Sequence, residues 1–167
     1  MFLFFLPAAL IFALDRVSKL RVSNTMYVGQ SHRVLGEFFR LTYVRNTGAA
    51  FGLFAGHHQV FVYISIAAIL LVLALYFRGA RQARLRSLAL GLILGGALGN
   101  LYDRIRFHEV VDFFDFSLNG HHFAVFNVAD SAVTVGVALL AWEIYAQGRT
   151  GRPEPALPAP PPGDAGP

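Results

Sequence analysis

The stretch FNVADSAVTVGVALLAWEIY, from Phe126 to Tyr145, decides the fold because it is apolar over the length of a membrane-spanning helix. A hydrocarbon core of about 30 Å needs about 20 helical residues to cross it, and this stretch supplies them. It also carries an acid, Asp130, close to its start. An ionisable side chain at membrane depth is costly and usually marks function, so Asp130 is a candidate site residue.

The composition is typical of a membrane protein and excludes several kinds of chemistry. Of the 167 residues, 55% are hydrophobic and 14% are charged, and the mean hydropathy is +0.51. The absence of cysteine excludes disulfides, thiolate nucleophiles and cysteine-ligated metal sites. The net charge of +4 comes with dispersed arginines and no aromatic-basic recognition surface, so we expect no nucleic-acid partner.

Three other apolar runs join this stretch, and together they predict a membrane all-α bundle of four transmembrane helices. The first run, MFLFFLPAALIFAL, reaches spanning length only if its helix continues through Asp15, Arg16 and Lys19. A cleaved signal peptide is the alternative for this run, but no Lys or Arg precedes it. The helices are predicted at about residues 2–20, 58–77, 87–104 and 128–146.

The loop between the second and third predicted helices sets the topology. By the positive-inside rule it is cytoplasmic, because the short stretch RGARQARLR holds Arg78, Arg81, Arg84 and Arg86. Both termini then face the cytoplasm, and segments 21–57 and 105–127 lie outside. The outer stretch EFFRLTYVRN is rich in aromatic and β-branched residues, so we expect a small extracytoplasmic β-sheet region.

The chain is predicted to divide into one membrane domain and a tail. The membrane domain covers residues 1–146. The tail, residues 147–167, is rich in proline and glycine, which is typical of a disordered segment. With the topology above, this tail is cytoplasmic.

Polar residues collect at the outer ends of the predicted helices, where they indicate a site on the outer surface. The set consists of Asp15, Lys19, Asn46, Asn100, Asp103, Arg104, Asn127 and Asp130, with Asp112 in the loop before the last helix. Some members also have structural explanations. Asp15 and Lys19 have the spacing of a helical ion pair, and Asn127 stands where a helix cap is expected. Gly95 and Gly99 have the GxxxG spacing that predicts close helix packing.

The carboxylates carry the chemical signal. Asp112 and Asp130 approach the same interface from different segments, and two acids held close together share one proton. One acid can take a proton from water while the other hydrogen-bonds the carbonyl under attack, which is aspartic-protease chemistry. This chemistry needs no metal and no cofactor. Glu109 and Asp115 are rival acids, and spacing alone does not separate Asp115 from Asp112.

Two other functions compete with a protease. A proton- or cation-coupled transport module predicts polar residues distributed across the membrane depth, whereas this sequence clusters them at one face. A structural membrane subunit with interfacial charges leaves Asp130 and the asparagines without a purpose.

Five motifs in this order resemble those of the bacterial lipoprotein signal peptidases, the type II signal peptidases. The motifs are DRVSK at 15–19, NTGAAF at 46–51, GGALGNLYDR at 95–104, VVDF at 110–113 and FNVAD at 126–130. The resemblance extends over essentially residues 1–146.

The resemblance implies a multi-pass inner-membrane aspartyl endopeptidase that cuts diacylglyceryl-modified prolipoproteins just before the lipidated cysteine. It implies that Asp112 in VVDF and Asp130 in FNVAD form the catalytic pair, which separates Asp112 from Asp115. The residues expected to line or brace the site are Asn46, Gly48, Asn100, Asp103, Arg104, Asn127, Asp15 and Lys19. Expected partners are prolipoproteins and membrane lipids, the chain is expected to be a monomer, and globomycin is expected to inhibit it.

Overall fold

A computed structural model describes residues 1–48, 58–79, 84–118 and 121–149 of the chain. The elements in chain order are α1 (Phe2–Thr25), β1 (Ser31–Leu35), β2 (Phe39–Asn46), α2 (His58–Arg78), α3 (Arg84–Phe107), β3 (Val110–Leu118), β4 (His121–His122) and α4 (Val128–Arg149). The protein is therefore mostly helical and has a small antiparallel sheet, and both of these features were predicted. Arg81 in the arginine loop and residues 150–167 lie outside the described residues, whereas residues 147–149, predicted as the start of the tail, continue α4.

Within the described ranges, three helices are long and apolar enough to cross a membrane. They are the spans Gln59–Arg78, Arg84–Phe107 and Val128–Gln147. Helix α1 has 24 residues, but Asp15, Arg16 and Lys19 lie in its second half and reduce its hydropathy. Length and composition thus identify three of the four predicted spans.

The distribution of apolar and polar side chains is opposite to that of a water-soluble bundle. Large apolar residues such as Leu14, Ile64 and Leu70 are exposed, whereas Asp15 and Lys19 are among the most deeply buried side chains. A protein surface that faces hydrocarbon is apolar, and polar groups at that depth turn inward. On α1 the large apolar side chains are thus exposed, whereas Asp15 and Lys19 turn into the bundle.

Helix α3 lies at the centre of the bundle and packs against α1, α2 and α4. Glycines allow the close approach: a Cβ added at Gly95 would lie 2.6 Å from the Ala8 carbonyl oxygen of α1. A Cβ at Gly99 would lie 2.5 Å from Oδ2 of Asp15. The close packing predicted from the GxxxG spacing is confirmed, since both glycines contact α1.

Helix α1 continues to Thr25, five residues beyond its predicted end, because its last turns have a tertiary partner. Val22 packs with Tyr43 of β2 and Phe113 of β3 in a small apolar cluster under the sheet. This burial holds the last turns of α1 in helical form, although residues such as Ser23 and Asn24 favour helix ends over helix interiors.

The sheet brings the chain before α4 close to the bundle. Its strands run in the order β1-β2-β3-β4, all antiparallel, and Asn46 pairs with Val110 in the β2–β3 ladder. An isolated bridge between Phe114 and Phe126 ties β3 to the residues that enter α4. Asp112, predicted in a loop, lies on β3 instead, because VVDFFDFSL has the β-branched and aromatic content of a strand.

We expect the substitution Gly95→Ala to lower the free energy of unfolding by about 1–3 kcal/mol, because its methyl group would meet backbone of α1. Thermal unfolding in detergent micelles measures the effect. The matched control is Gly79→Ala, where an added Cβ meets no atom within 4 Å. Equal unfolding temperatures for the two variants would contradict the close α1–α3 approach.

Candidate active site

The first carboxylate of the site, Asp112, is positioned by the β2–β3 ladder. Asn46 pairs with Val110, two residues before Asp112, so Asn46 and Asp112 are diagonal neighbours on one face of the sheet. The Asn46 amide donates a hydrogen bond from Nδ2 to Oδ2 of Asp112 at 3.0 Å. Its own Oδ1 accepts the Gly48 N–H at 2.9 Å, which fixes the direction of the amide.

The second carboxylate, Asp130, is held by the cap of α4. The Asn127 Oδ1 atom accepts the backbone N–H of Asp130 at 2.9 Å, and Asp130 Oδ2 accepts the backbone N–H of Asn127 at 3.2 Å. This reciprocal arrangement is a capping box, with asparagine and aspartate in its two side-chain positions. Asn127 thus caps α4, which is the structural role expected from its position in the sequence, and its side chain also belongs to the site.

The Asn127 amide joins the two carboxylates, because the same side chain that caps α4 reaches back to β3. Its Nδ2 donates to Oδ1 of Asp112 at 2.6 Å. On the other side of the site, Asn100 of α3 donates from Nδ2 to Oδ1 of Asp130 at 2.7 Å. Each aspartate therefore accepts N–H donors from two directions, and such donors stabilise a carboxylate charge.

Asp112 is a strongly perturbed acid. Burial raises the pKa of Asp112 to about 7, and the negative charge of Asp130 raises it as well. Hydrogen bonds from Asn46 and Asn127, and the more distant charge of Lys19, act in the opposite direction but are weaker. Near neutral pH the Asp112 carboxyl is therefore poised between its protonated and ionised forms, which suits general acid–base chemistry.

A cluster of four charged side chains lies beside the two candidate catalytic aspartates. The Lys19 ammonium is 2.8 Å from Oδ2 of Asp15 and 2.9 Å from Oδ2 of Asp103. Asp103 is also paired with Arg16, whose guanidinium stacks on the Tyr102 ring at 4.3 Å. Two acids and two bases neutralise one another, which makes their burial at the end of the bundle tolerable.

Both candidate catalytic acids line one cavity of about 560 Å³. Its lining combines the polar groups above with apolar side chains of the segment before α4: Asn46, Gly48, Asn100, Arg104, Val110, Asp112, Phe123, Ala124, Val125, Phe126, Asp130, Ser131, Thr134 and Val135. A second cavity of about 300 Å³, lined by residues of α2, α3 and α4, shares Asn100, Arg104, Asp130 and Thr134 with it. The polar groups around the two carboxylates thus border apolar space between the helices.

Arg104 contributes a positive charge to the lining of both cavities. Its Nη1 lies 3.4 Å from the Ser65 hydroxyl, and its guanidinium lies 5.6 Å from the Phe61 ring centroid. Among the described residues it forms no ion pair within 4 Å. Its charge nevertheless interacts with those of Asp130 and Asp112.

The rival acids lie away from the two carboxylates. Asp115 is three residues beyond Asp112 on β3, so its side chain points to the other face of the strand. It accepts a hydrogen bond from the Thr42 hydroxyl at 2.7 Å. Glu109 is paired with Arg45 at 2.5 Å. Neither acid lines the cavity that holds Asp112 and Asp130.

The structure brings together every residue that the sequence proposed for the site. Asp15, Lys19 and Asp103 lie behind the cavity, and the others line it or contact its carboxylates. Sequence reasoning treated Arg16 only as a charge on the first helix, although its place in DRVSK was a signal. Within the described ranges, no group of three or more His, Asp or Glu residues is placed to hold a metal ion.

Known proteins share a large part of this sequence. The family model described as signal peptidase (SPase) II matches residues 7–146. The lipoprotein signal peptidase of Desulforapulum autotrophicum is 43% identical over 144 residues, covering 83% of this chain and 89% of that protein. The enzyme of the same name from Moorella thermoacetica is 45% identical over 141 residues, covering 84% and 91%.

Two solved structures of bacterial membrane enzymes have the same fold. One superposes with a TM-score of 0.84 at 32% identity and covers 91% of this chain and 93% of its own. The other has a TM-score of 0.76 at 35% identity and covers 83% and 90%.

We expect Asn127→Ala to lower the free energy of unfolding by about 1–2 kcal/mol, because α4 loses its cap. Thr25→Ala is the control: its hydroxyl bonds the Arg21 carbonyl on an exposed helix surface, so the change should stay within about 0.5 kcal/mol. Chemical or thermal unfolding in detergent compares the two. A stable Asn127→Ala variant would contradict the capping role.

Proposed function

The chain belongs to the signal peptidase II family, and from this premise we propose that Asp112 and Asp130 activate the water that cleaves its substrate. The family and its relatives establish the removal of signal peptides from prolipoproteins as the function. The observation that carries the aspartyl mechanism is the pair of carboxylates in one cavity, each held by N–H donors. The substrate class is diacylglyceryl-modified prolipoprotein, cut just before the lipidated cysteine.

The proposed reaction starts with one proton on the pair. Asp112 carries this proton, in accordance with its pKa near 7, and Asp130 is ionised. Asp130 takes a proton from water as the oxygen adds to the peptide carbonyl carbon, and Asp112 protonates the carbonyl oxygen. When the tetrahedral intermediate collapses, the cysteine nitrogen receives the proton of Asp130 and a hydroxyl proton returns to Asp112. The pair ends in its starting state.

Arg104 is suited to orient the substrate. It lines the two cavities and forms no ion pair among the described residues, so the donors other than the one that contacts Ser65 are available for a carbonyl oxygen of the substrate. A guanidinium offers five N–H donors in a fixed plane, which gives it directional control over such an oxygen.

The apolar cavity supports a route for a lipidated substrate. It is lined by Phe61, Ile64, Ala68, Ala97 and Val133 from three helices and reaches the carboxylates at one end. An acyl chain or a signal helix that packs in this space would bring the bond before the cysteine to Asp130. Catalysis at the end of the bundle fits a substrate whose signal segment lies in the bilayer.

We further propose that α1 also spans the membrane, which gives four transmembrane helices. Up to Leu20 its exposed side is apolar, and Asp15, Arg16 and Lys19 are buried in the bundle or paired there; Arg21, near the end of the helix, is exposed. The proposed topology has both termini in the cytoplasm of a bacterium, the site at the outer face of the inner membrane, and a monomeric enzyme in contact with lipid. The arginine-rich loop after α2 supports this orientation.

The alternative of a proton- or cation-coupled transport module is not supported. The relatives are peptidases by name, and among the buried charged residues of the described ranges only Glu143 lies at the opposite end of the bundle from Asp112 and Asp130. A transport path requires such groups along the membrane depth.

We expect Asp112→Asn and Asp130→Asn each to lower kcat by about 10⁴-fold or more, because neither variant retains a pair that shares a proton. Gel mobility of a diacylglyceryl prolipoprotein in detergent measures cleavage. Asp115→Asn is the matched control, since Asp115 lies on the other face of β3, and it should keep nearly full activity. Normal cleavage by either of the first two variants would remove that residue from the mechanism.

The pH dependence should follow the loss of the proton that the aspartate pair shares. Because the Asp112 pKa is raised to about 7 and the protonated form is required, kcat/KM should fall about tenfold per pH unit above pH 7. Initial rates with a fluorogenic lipopeptide between pH 5 and pH 9 give the profile. A rate that stays constant up to pH 9 would rule out Asp112 as the proton donor.

A further inference from the structure

We propose that Lys19 is a positioning residue: its buried ammonium fixes the Asn100 side-chain amide in the orientation that presents an N–H to Asp130. The inference rests on the proposed function, because it assigns a role toward the same aspartate pair. It concerns two successive contacts, from Lys19 on α1 to Asn100 on α3 and from Asn100 to Asp130 on α4, which join residues far apart in sequence.

The first observation is the surroundings of the Lys19 ammonium. The side chain is 1% exposed, and its Nζ donates to Oδ1 of Asn100 at 2.9 Å in addition to its two ion pairs. The ion pairs balance charge, but Asp103 also has Arg16 as a partner. Charge balance therefore accounts for the contacts with the two acids and leaves the contact with the neutral Asn100 amide to be explained.

The second observation is the direction of the Asn100 amide. An asparagine can donate from one end and accept at the other, whereas a lysine ammonium only donates. The Asn100 oxygen therefore faces Lys19, and its Nδ2 faces Asp130 at 2.7 Å. The reversed amide would oppose its NH₂ to the ammonium and its oxygen to the Asp130 carboxylate, so both contacts would become repulsive.

A third group supports the same orientation. Asn127 Nδ2 donates to the Asn100 oxygen at 3.2 Å, and the Asn127 amide is itself oriented by the backbone N–H of Asp130. The bond from Lys19 is shorter and charge-assisted, so it is the stronger of the two donors to that oxygen. Lys19 is therefore the group that most strongly prevents rotation of the Asn100 amide.

The consequence for the reaction is geometric. Asp130 must hold the attacking water within a few tenths of an ångström of its productive position, and Asn100 is the side chain of α3 that contacts Asp130. With Lys19 removed, the Asn100 amide can rotate, and Asp130 loses a fixed donor. Binding of the apolar parts of the substrate does not depend on this contact.

The test is a charge-neutral double substitution, Lys19→Met with Asp15→Asn, which leaves the Arg16–Asp103 pair intact. We expect kcat to fall about 100-fold and KM to stay within about twofold, as for a misplaced catalytic group. The same pair of changes in an Asn100→Leu background should cost little more than Asn100→Leu alone, because Lys19 acts through Asn100. Additive effects on kcat, or an unchanged kcat in the first variant, would overturn the proposal.

The matched control removes an ion pair at the other end of the bundle. Arg86 of α3 donates to Glu143 of α4 at 2.8 Å, so Arg86→Met with Glu143→Gln replaces one partly buried pair by neutral side chains of similar size. It should lower the unfolding temperature without changing kcat or KM of the folded enzyme. If the control lowered kcat as much as the Lys19 variant, loss of helix packing would explain both results and the proposal would fail.

A second variant covers poor folding of the neutral pair. Lys19→Arg keeps the positive charge for Asp15 and Asp103, but its longer, planar guanidinium cannot reproduce the single donor position at Asn100. We expect about tenfold or greater loss of kcat with KM unchanged. Full activity of Lys19→Arg would show that only the charge matters and would overturn the proposal. Failure of the proposed function would appear separately, as cleavage that survives Asp112→Asn.

Discussion

The site depends on one buried ammonium group, that of Lys19, and on the three oxygens around it. Isolated burial of a charge costs several kcal/mol or more, and this cost is offset only when paired charges and hydrogen bonds replace water. Asp15, Asp103 and Asn100 supply these partners within 2.9 Å. Because the partners come from α1 and α3, the same interaction that stabilises the lysine also fixes these helices relative to each other.

Close helix packing makes this arrangement possible. Water does not drive helices together inside a bilayer, so small residues that allow backbone contact contribute much of the association. The glycines of α3 meet α1 at Ala8 and at Asp15 with no room for a side chain between them. If these helices were separated by a methyl group, the ammonium could not contact acids on both of them, so packing and electrostatics depend on each other.

The sheet completes the site from the opposite direction. Asp112 is carried by β3, and the bridge between Phe114 and Phe126 sets how far that strand lies from the start of α4. The Asn127 side chain then contacts the carboxylate on the strand while it caps the helix. A change in strand register by one residue would turn Asp112 to the other face, where Asp115 now bonds Thr42.

The sequence by itself determined a large part of this protein. Apolar runs predicted the helices, aromatic and β-branched residues predicted the region of β2, and the polar residues were predicted to gather at one end. The choice of Asp112 over Asp115 came from the family motif, since spacing left both open. The length of the first apolar run did not predict that α1 continues to Thr25. The last turns of α1 are stabilised by the packing of Val22 against residues of the sheet, which are distant in sequence.

Only the tertiary structure decided what each polar group contacts. It moved Asp112 from a predicted loop onto a strand, gave Lys19 a neutral partner in Asn100, and raised the pKa of Asp112 by burial. The physical reason is that hydropathy and helix spacing are local properties of the chain. Hydrogen-bond direction and desolvation depend instead on groups that are distant in sequence, such as Lys19 and Asn100, and meet only in the folded bundle.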